Sequence, residues 1–178
     1  MKNQILSGKA WVFGDEINSD VMAPGIYFKE SMSIMASHCL EAVDPSFAQN
    51  VKPGDIIVAG RNFGVGSARE QAALAFKELK VGAIIAKSYA RIFYRNTLNF
   101  GLPALICNFT DEIDGKDQLE INPISGEIKN LTKKYSKNVP PIPEHLMEMI
   151  SLGGLMPYLE TKIINGDLKV RKHNSEPC

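Results

Sequence analysis

A serine and an arginine two residues apart, set in a glycine-rich loop, are the residues of this chain best placed to do chemistry. The segment reads Gly60-Arg61-Asn62-Phe63-Gly64-Val65-Gly66-Ser67-Ala68-Arg69-Glu70. Its glycines let backbone approach a ligand closely. The start of a following helix offers free N–H groups and a partial positive charge, which attract an anion. Arg69 adds a guanidinium that can grip a carboxylate through two parallel hydrogen bonds. A dinucleotide fingerprint would need glycine three positions after Gly66, where Arg69 stands. A Walker A loop would need lysine between Gly66 and Ser67, and there is none. The loop therefore suits a small carboxylate better than a nucleotide. A purely structural role is also open, because Ser67-Ala68-Arg69-Glu70 fits an S-x-x-E capping box. Ser67 would then cap the helix, worth about 1 kcal/mol. Arg69 would lie in a first helical turn, where a basic residue is unfavourable by a few tenths of a kcal/mol. That placement suggests an anionic partner for it.

The elements that must hold this loop are readable around it. Ile56-Ile57-Val58-Ala59 is a run of four apolar residues and reads as a buried strand. From Ser67 onward, Ala72, Ala73, Leu74, Ala75, Phe76 and Leu79 give a helix with a wide apolar stripe. Val81 to Ala86 reads as a strand, Tyr89 to Asn99 as a helix, and Leu102 to Cys107 as a further strand. Strand–helix–strand–helix–strand from residue 56 to 107 is a βαβ pattern and makes α/β the natural class. An opening strand covers Ile5 to Phe13. A polar turn at residues 14–20 and the Pro24-Gly25 breaker follow, with a loop from Tyr27 to Ser33 and a short helix from Met35 to Val43. Later, Gln118 to Asn122 and Ile128 to Leu131 form a plausible hairpin. A proline-stiffened linker at 139–143 leads into a helix, Glu144 to Ser151, which Gly153-Gly154 terminates. One domain spans residues 1–164, with a polar tail at 165–178.

Composition narrows the function classes. Lys+Arg and Asp+Glu both number 20, so no basic excess argues for nucleic acid. No run approaches 18 apolar residues, so no membrane span is expected. Met1-Lys2-Asn3-Gln4 leads into no signal-peptide pattern. Cys39, Cys107 and Cys178 are far apart and lack CxxC spacing, which argues against a disulfide framework or a metal site built by this chain alone. Two buried thiols and one at the tail are expected, in a reducing cytoplasm. His38, His145 and His173 are scattered and read as structural or surface residues.

The loop resembles the Gly-Ser-Ser-Arg-Glu signature of the aconitase superfamily. Lys87-Ser88-Tyr89-Ala90-Arg91-Ile92-Phe93-Tyr94-Arg95-Asn96 and Gly101-Leu102-Pro103 resemble the family's following helix and strand. Gly14-Asp15-Glu16-Ile17-Asn18-Ser19-Asp20 and Pro24-Gly25-Ile26-Tyr27 resemble its N-terminal loop, and Gly153-Gly154-Leu155 its usual C-terminal end. The resemblance covers most of residues 8–160. The length fits the detached small subunit of isopropylmalate isomerase and homoaconitase, which corresponds to aconitase's swivel domain.

This resemblance implies a β/β/α sandwich with a mixed sheet. It also implies a two-subunit hydro-lyase whose large subunit carries a [4Fe–4S] cluster. Ser67 takes the role of the base that removes a proton from carbon, and Arg69 holds a substrate carboxylate. Asp20 matches the family's loop aspartate at the site. Gly66 and Ala68 flank the catalytic serine. Lys29, in Tyr27-Phe28-Lys29-Glu30, lies where substrate preference is thought to be set. Ala68 stands where a second serine is usual, Gln71 where histidine is common, and Ile26 where Arg or Lys is often found. The default substrate is isopropylmalate, with homocitrate/homoaconitate or a dimethylmalate as alternatives. The reading of another class is a non-catalytic anion-binding or interaction module. The Tyr27–Glu41 stretch is expected to order on contact with substrate and large subunit.

Overall fold

The strands Ile56–Ala59 and Ala83–Ala86 are apolar and buried along their whole length, and the sheet there is accordingly covered on both faces. The computed structural model describes residues 5–67 and 69–168. In chain order the elements are β1 (Leu6–Val12), α1 (Ser19–Met22), a 3₁₀ turn (Gly25–Tyr27), α2 (Met32–Ser37), α3 (Phe47–Asn50), β2 (Ile56–Ala59), α4 (Glu70–Glu78) and β3 (Ala83–Ala86). They continue with α5 (Arg91–Asn99), β4 (Ala104–Ile106), a 3₁₀ turn (Thr110–Glu112), β5 (Gln118–Asn122), β6 (Glu127–Asn130), β7 (Tyr135–Asn138), α6 (Glu144–Ser151) and α7 (Leu155–Ile164).

The seven strands form one sheet in the order β4-β3-β2-β1-β5-β6-β7. β1, β2, β3 and β4 are parallel, and β5, β6 and β7 add an antiparallel half on the other side of β1. This is the mixed α/β sheet with a βαβ core that was expected. On one face Ile57, Ala59, Ile84 and Ala86 pack with Phe47 of α3, with Ala72, Ala73, Ala75 and Phe76 of α4, and with Phe93. On the other, Ile56, Val58, Ala83 and Ile85 join Leu119, Ile121 and Ile128 of the hairpin and Met147 and Ile150 of α6. The strand pattern of period two thus divides the apolar residues between two cores.

Several boundaries differ from the sequence reading. α2 begins at Met32 and ends at Ser37, because Ser31 Oγ accepts from the Ile34 N–H and caps it. The expected Tyr27–Ser33 loop is shorter: a 3₁₀ turn ends at Tyr27, and α2 takes in Met32 and Ser33. β7 was not foreseen, since Tyr135-Ser136-Lys137-Asn138 has little apolar alternation and pairs at the sheet edge. α7 was not foreseen either: none of its residues is fully buried, so it lacks the apolar stripe that periodicity detects. Within Tyr27–Glu41, Met35, Ala36, Cys39 and Leu40 are buried in the first core, while residues 28–31 and 33–34 are exposed. The polar tail is described as far as Leu168; residues 169–178, with His173 and Cys178, and the substrate-binding candidate Ala68 lie outside the described residues. No helix among the described residues is long and apolar enough to cross a membrane.

Candidate active site

Parallel strands deliver their following loops to one edge of the sheet, and neighbouring strands deliver them side by side. β1 and β2 are such neighbours. The loop after β1 carries Asn18, Ser19 and Asp20; the loop after β2 carries Gly64 to Ser67. The two are pinned together by backbone hydrogen bonds. The Ser19 N–H donates to Val65 O at 2.7 Å, and the Gly64 N–H donates to Ile17 O at 2.9 Å.

Two glycines of the loop are dictated by this close approach. Gly64 has φ +82°, and a Cβ on it would come within 2.1 Å of Phe93 Cγ. Gly66 has φ +111°, and a Cβ there would come within 2.2 Å of Asn18 Oδ1. A left-handed φ and the lack of room both require glycine.

The chemistry-bearing residues meet where these loops touch. Ser67 Oγ donates to Asp20 Oδ1 at 2.6 Å. Arg69 Nε lies 3.2 Å from the same oxygen. Arg69 Nη1 donates to Ala23 O at 3.2 Å. The guanidinium carbon sits 4.6 Å from the centroid of the Phe28 ring. Asp20 itself is held by Asn18, whose Oδ1 accepts from the Asp20 N–H at 2.8 Å. Asn18 is also the N-cap of α1. Ser67 and Gly66 are exposed, as is the Asp20 carboxylate, while Arg69 is half-buried.

The capping-box expectation is overturned. Helix α4 starts at Glu70 and its N-cap is Arg69, with no side-chain cap hydrogen bond. Ser67 therefore lies before the helix, and its hydroxyl points across to Asp20 rather than back to the helix N-terminus. Arg69 is not in a first helical turn either, although the anionic partner inferred for it is present in Asp20.

Of the sequence-derived candidates, Ser67, Arg69, Asp20 and Gly66 come together. Lys29 does not: it is exposed and makes no hydrogen bond or ion pair with the described residues. One residue given no role in the sequence reading lies beside the cluster: Phe28 underlies Arg69. His38, read there as structural or surface, stacks on Tyr27 at 3.9 Å between ring centroids. The signal for Phe28 was an aromatic residue in a polar segment without a core period; His38 gave none, because its neighbour in space is eleven residues away in sequence. Cys39 and Cys107 are buried as expected, on opposite faces of the sheet. Burial pushes both thiols up, Cys107 to about 11.

The chain is similar to known proteins over most of its length. Residues 18–108 match the family model of the aconitase C-terminal domain. The chain is 47% identical over 165 residues to 3-isopropylmalate dehydratase small subunit 2 of Archaeoglobus fulgidus, an alignment covering 92% of this chain and 98% of the relative. It is 43% identical over 161 residues to the isopropylmalate/citramalate isomerase small subunit of Methanocaldococcus jannaschii, covering 89% and 96%. The crystal structure of 3-isopropylmalate dehydratase (LeuD) from M. jannaschii superposes with a TM-score of 0.87 at 41% identity, covering 92% of this chain and 98% of that one. The two loops that build the site both fall within the matched region, and the chain belongs to the aconitase C-terminal domain family, alongside the 3-isopropylmalate dehydratase small subunits.

Proposed function

We propose that this chain is the small subunit of a cytoplasmic two-subunit hydro-lyase that isomerises isopropylmalate by dehydration and rehydration, a step of leucine biosynthesis. The observation that carries this reading is the convergence of Ser67, Asp20 and Arg69 from two loops, in a chain so similar to named small subunits of that enzyme.

Ser67 is the proton acceptor at the substrate carbon. A free serine hydroxyl is a poor base, so its own proton needs a place to go. The short hydrogen bond to Asp20 Oδ1 provides one. Arg69 engages Asp20 through Nε and Ala23 O through Nη1, and its Nη2 has no hydrogen-bond partner among the described residues. That edge is the seat for a substrate carboxylate. In the dehydration the proton leaves carbon for Ser67 Oγ, the C–H electron pair becomes the π bond, and the neighbouring C–O bond breaks with its electron pair leaving on the hydroxyl, which departs as water once protonated. Rehydration of the same double bond with the opposite orientation gives the isomer. Gly66, beside the serine, brings backbone to the substrate.

A [4Fe–4S] cluster carried by the large subunit supplies Lewis acidity for the leaving hydroxyl. The described residues of this chain offer no set of cysteines for it. Cys39 and Cys107 are separated by the sheet, and no group of His, Cys, Asp and Glu suited to a metal ion occurs among the described residues.

The test is turnover of a panel of hydroxy diacids by this chain, co-purified anaerobically with its large subunit. The panel holds isopropylmalate, citramalate, a dimethylmalate and homocitrate. Activity on isopropylmalate, lost when either chain is omitted, is the expected result. Ser67→Ala should lower turnover by about two to four orders of magnitude. Undiminished turnover in that variant would sink the catalytic assignment and favour an anion-binding module.

A further inference from the structure

Phe28 is an aromatic residue with no place in either core. Its side chain is 43% exposed, and it belongs to neither buried cluster nor to the residues packed against them. Its one ring contact among the described residues is the Arg69 guanidinium, 4.6 Å from the ring centroid. A planar cation over an aromatic face is attracted by the ring quadrupole, and the face fixes the plane in which the guanidinium lies. The other holds on Arg69 come from Asp20 Oδ1 and Ala23 O, on Nε and Nη1. Those two fix the near edge; the ring fixes the tilt of the far one, which the substrate must meet.

A second set of contacts fixes where Phe28 is. In a 3₁₀ turn successive side chains point about a third of a turn apart. The turn Gly25–Tyr27 therefore sends Tyr27 and Phe28 in different directions. Tyr27 stacks on His38 with an interplanar angle of 13°, and its hydroxyl donates to Glu41 Oε1 at 3.3 Å. His38 Nδ1 lies 2.5 Å from Glu41 Oε2. Burial and the neighbouring Glu41 carboxylate raise the Tyr27 phenol, so it remains a donor. His38 directly follows α2, and His38 and Glu41 flank Cys39 and Leu40, both fully buried. The cluster thus anchors one side of an exposed turn to the first core. On its other side, Gly25 leaves space beside Arg69, where a Cβ would stand 3.4 Å from Nη1.

We propose that Phe28 is a positioning residue that sets the plane of the Arg69 guanidinium, held in place by the Tyr27–His38–Glu41 cluster. The catalytic consequence rests on the reading of Arg69 as the substrate-carboxylate ligand; the positioning itself does not.

Two measurements separate these. The first uses the chain alone, labelled with ¹⁵N, and follows the Arg69 Nε–Hε resonance, assigned by its loss in Arg69→Lys. The Phe28 ring current should displace it. Phe28→Leu should remove that displacement, Phe28→Tyr should keep it, and Glu41→Gln should reduce it. An Hε resonance that Phe28→Leu leaves unmoved would overturn the proposal. The second uses the holoenzyme. Phe28→Leu should raise KM for isopropylmalate about tenfold, with kcat changed less than about twofold, and Phe28→Tyr should restore KM; uniform binding lost at the substrate carboxylate has that signature. A shift in Hε with KM unchanged would overturn the catalytic consequence. A holoenzyme inactive on every substrate, with its cluster intact, would sink the functional reading while the resonance still decides the positioning.

Discussion

At the scale of single residues, one carboxylate oxygen does two jobs. Asp20 Oδ1 accepts from Ser67 and meets Arg69 Nε. Without Asp20 the two residues would have no common point of reference, since they come from a loop with two left-handed glycines. Arg69 in turn depends on its planar fork: Nε, Nη1 and the ring face are each engaged at once. A lysine carries the charge but not the geometry. Arg69→Lys should therefore raise KM for the hydroxy diacid, by about ten- to a hundredfold if a charged hydrogen bond of about 1.5–3 kcal/mol is lost. Steady-state kinetics of the reconstituted enzyme measures this, and an unchanged KM would remove Arg69 from the substrate.

At the scale of elements, the site is a pairing of two loops rather than a helix terminus. The sequence reading placed Ser67 at the head of α4, where S-x-x-E would cap it; instead α4 begins three residues later. Gly66, with φ +111° and no room for a Cβ beside Asn18, lies in the stretch before the helix. Gly66→Ala should disturb this junction. The backbone alone costs about 1–2 kcal/mol for a non-glycine residue at such a φ, and the added methyl meets Asn18 Oδ1. Asn18 also holds Asp20, so turnover should fall together with the thermal midpoint. A fully active, equally stable Gly66→Ala protein would show that the two loops do not depend on this contact.

At the scale of the whole molecule, the parallel and antiparallel halves of the sheet meet at β1, and Asp117 ties the joint. Its backbone O accepts from the Ala10 N–H at 2.8 Å, and its carboxylate accepts from Asn130 Nδ2 at 2.7 Å. Asn130 is 1% exposed. Burial works against the Asp117 charge, but the Asp114 amide, Asn130 and Lys133 together hold its carboxyl below the ordinary range. A carboxyl lowered in the folded state adds stability at pH values above its unfolded value, and that stability is lost as pH falls through the folded one. Asp117→Asn should therefore flatten the acid limb of the stability profile, below about pH 4. Asn130→Ala, which leaves a buried acceptor underserved, should cost about 1–3 kcal/mol at neutral pH. Denaturant unfolding across pH checks both, and an acid limb identical to the parent's would exclude Asp117 as its source.

The sequence by itself determined the α/β class and the βαβ core, and it pointed to the glycine-rich loop as the candidate site. Strand Ile56–Ala59 and helix Glu144–Ser151 were legible to the residue, because uninterrupted burial and a sharp Gly-Gly stop are local signals. Ser67 and Arg69 were legible for the same reason: their types and spacing are written in one segment. What only the tertiary structure decided is which residues face them. Asp20 lies 47 positions from Ser67, and its nearness follows from β1 and β2 being neighbours in the sheet. Phe28 and His38 gain their roles from a turn whose direction no periodicity records. The edge strand β7 and helix α7 escaped notice because their stability comes from neighbours rather than from a buried stripe of their own. Local patterns specify elements through short-range sterics and burial; a site assembled across a sheet is specified only once strand order brings distant loops to the same edge.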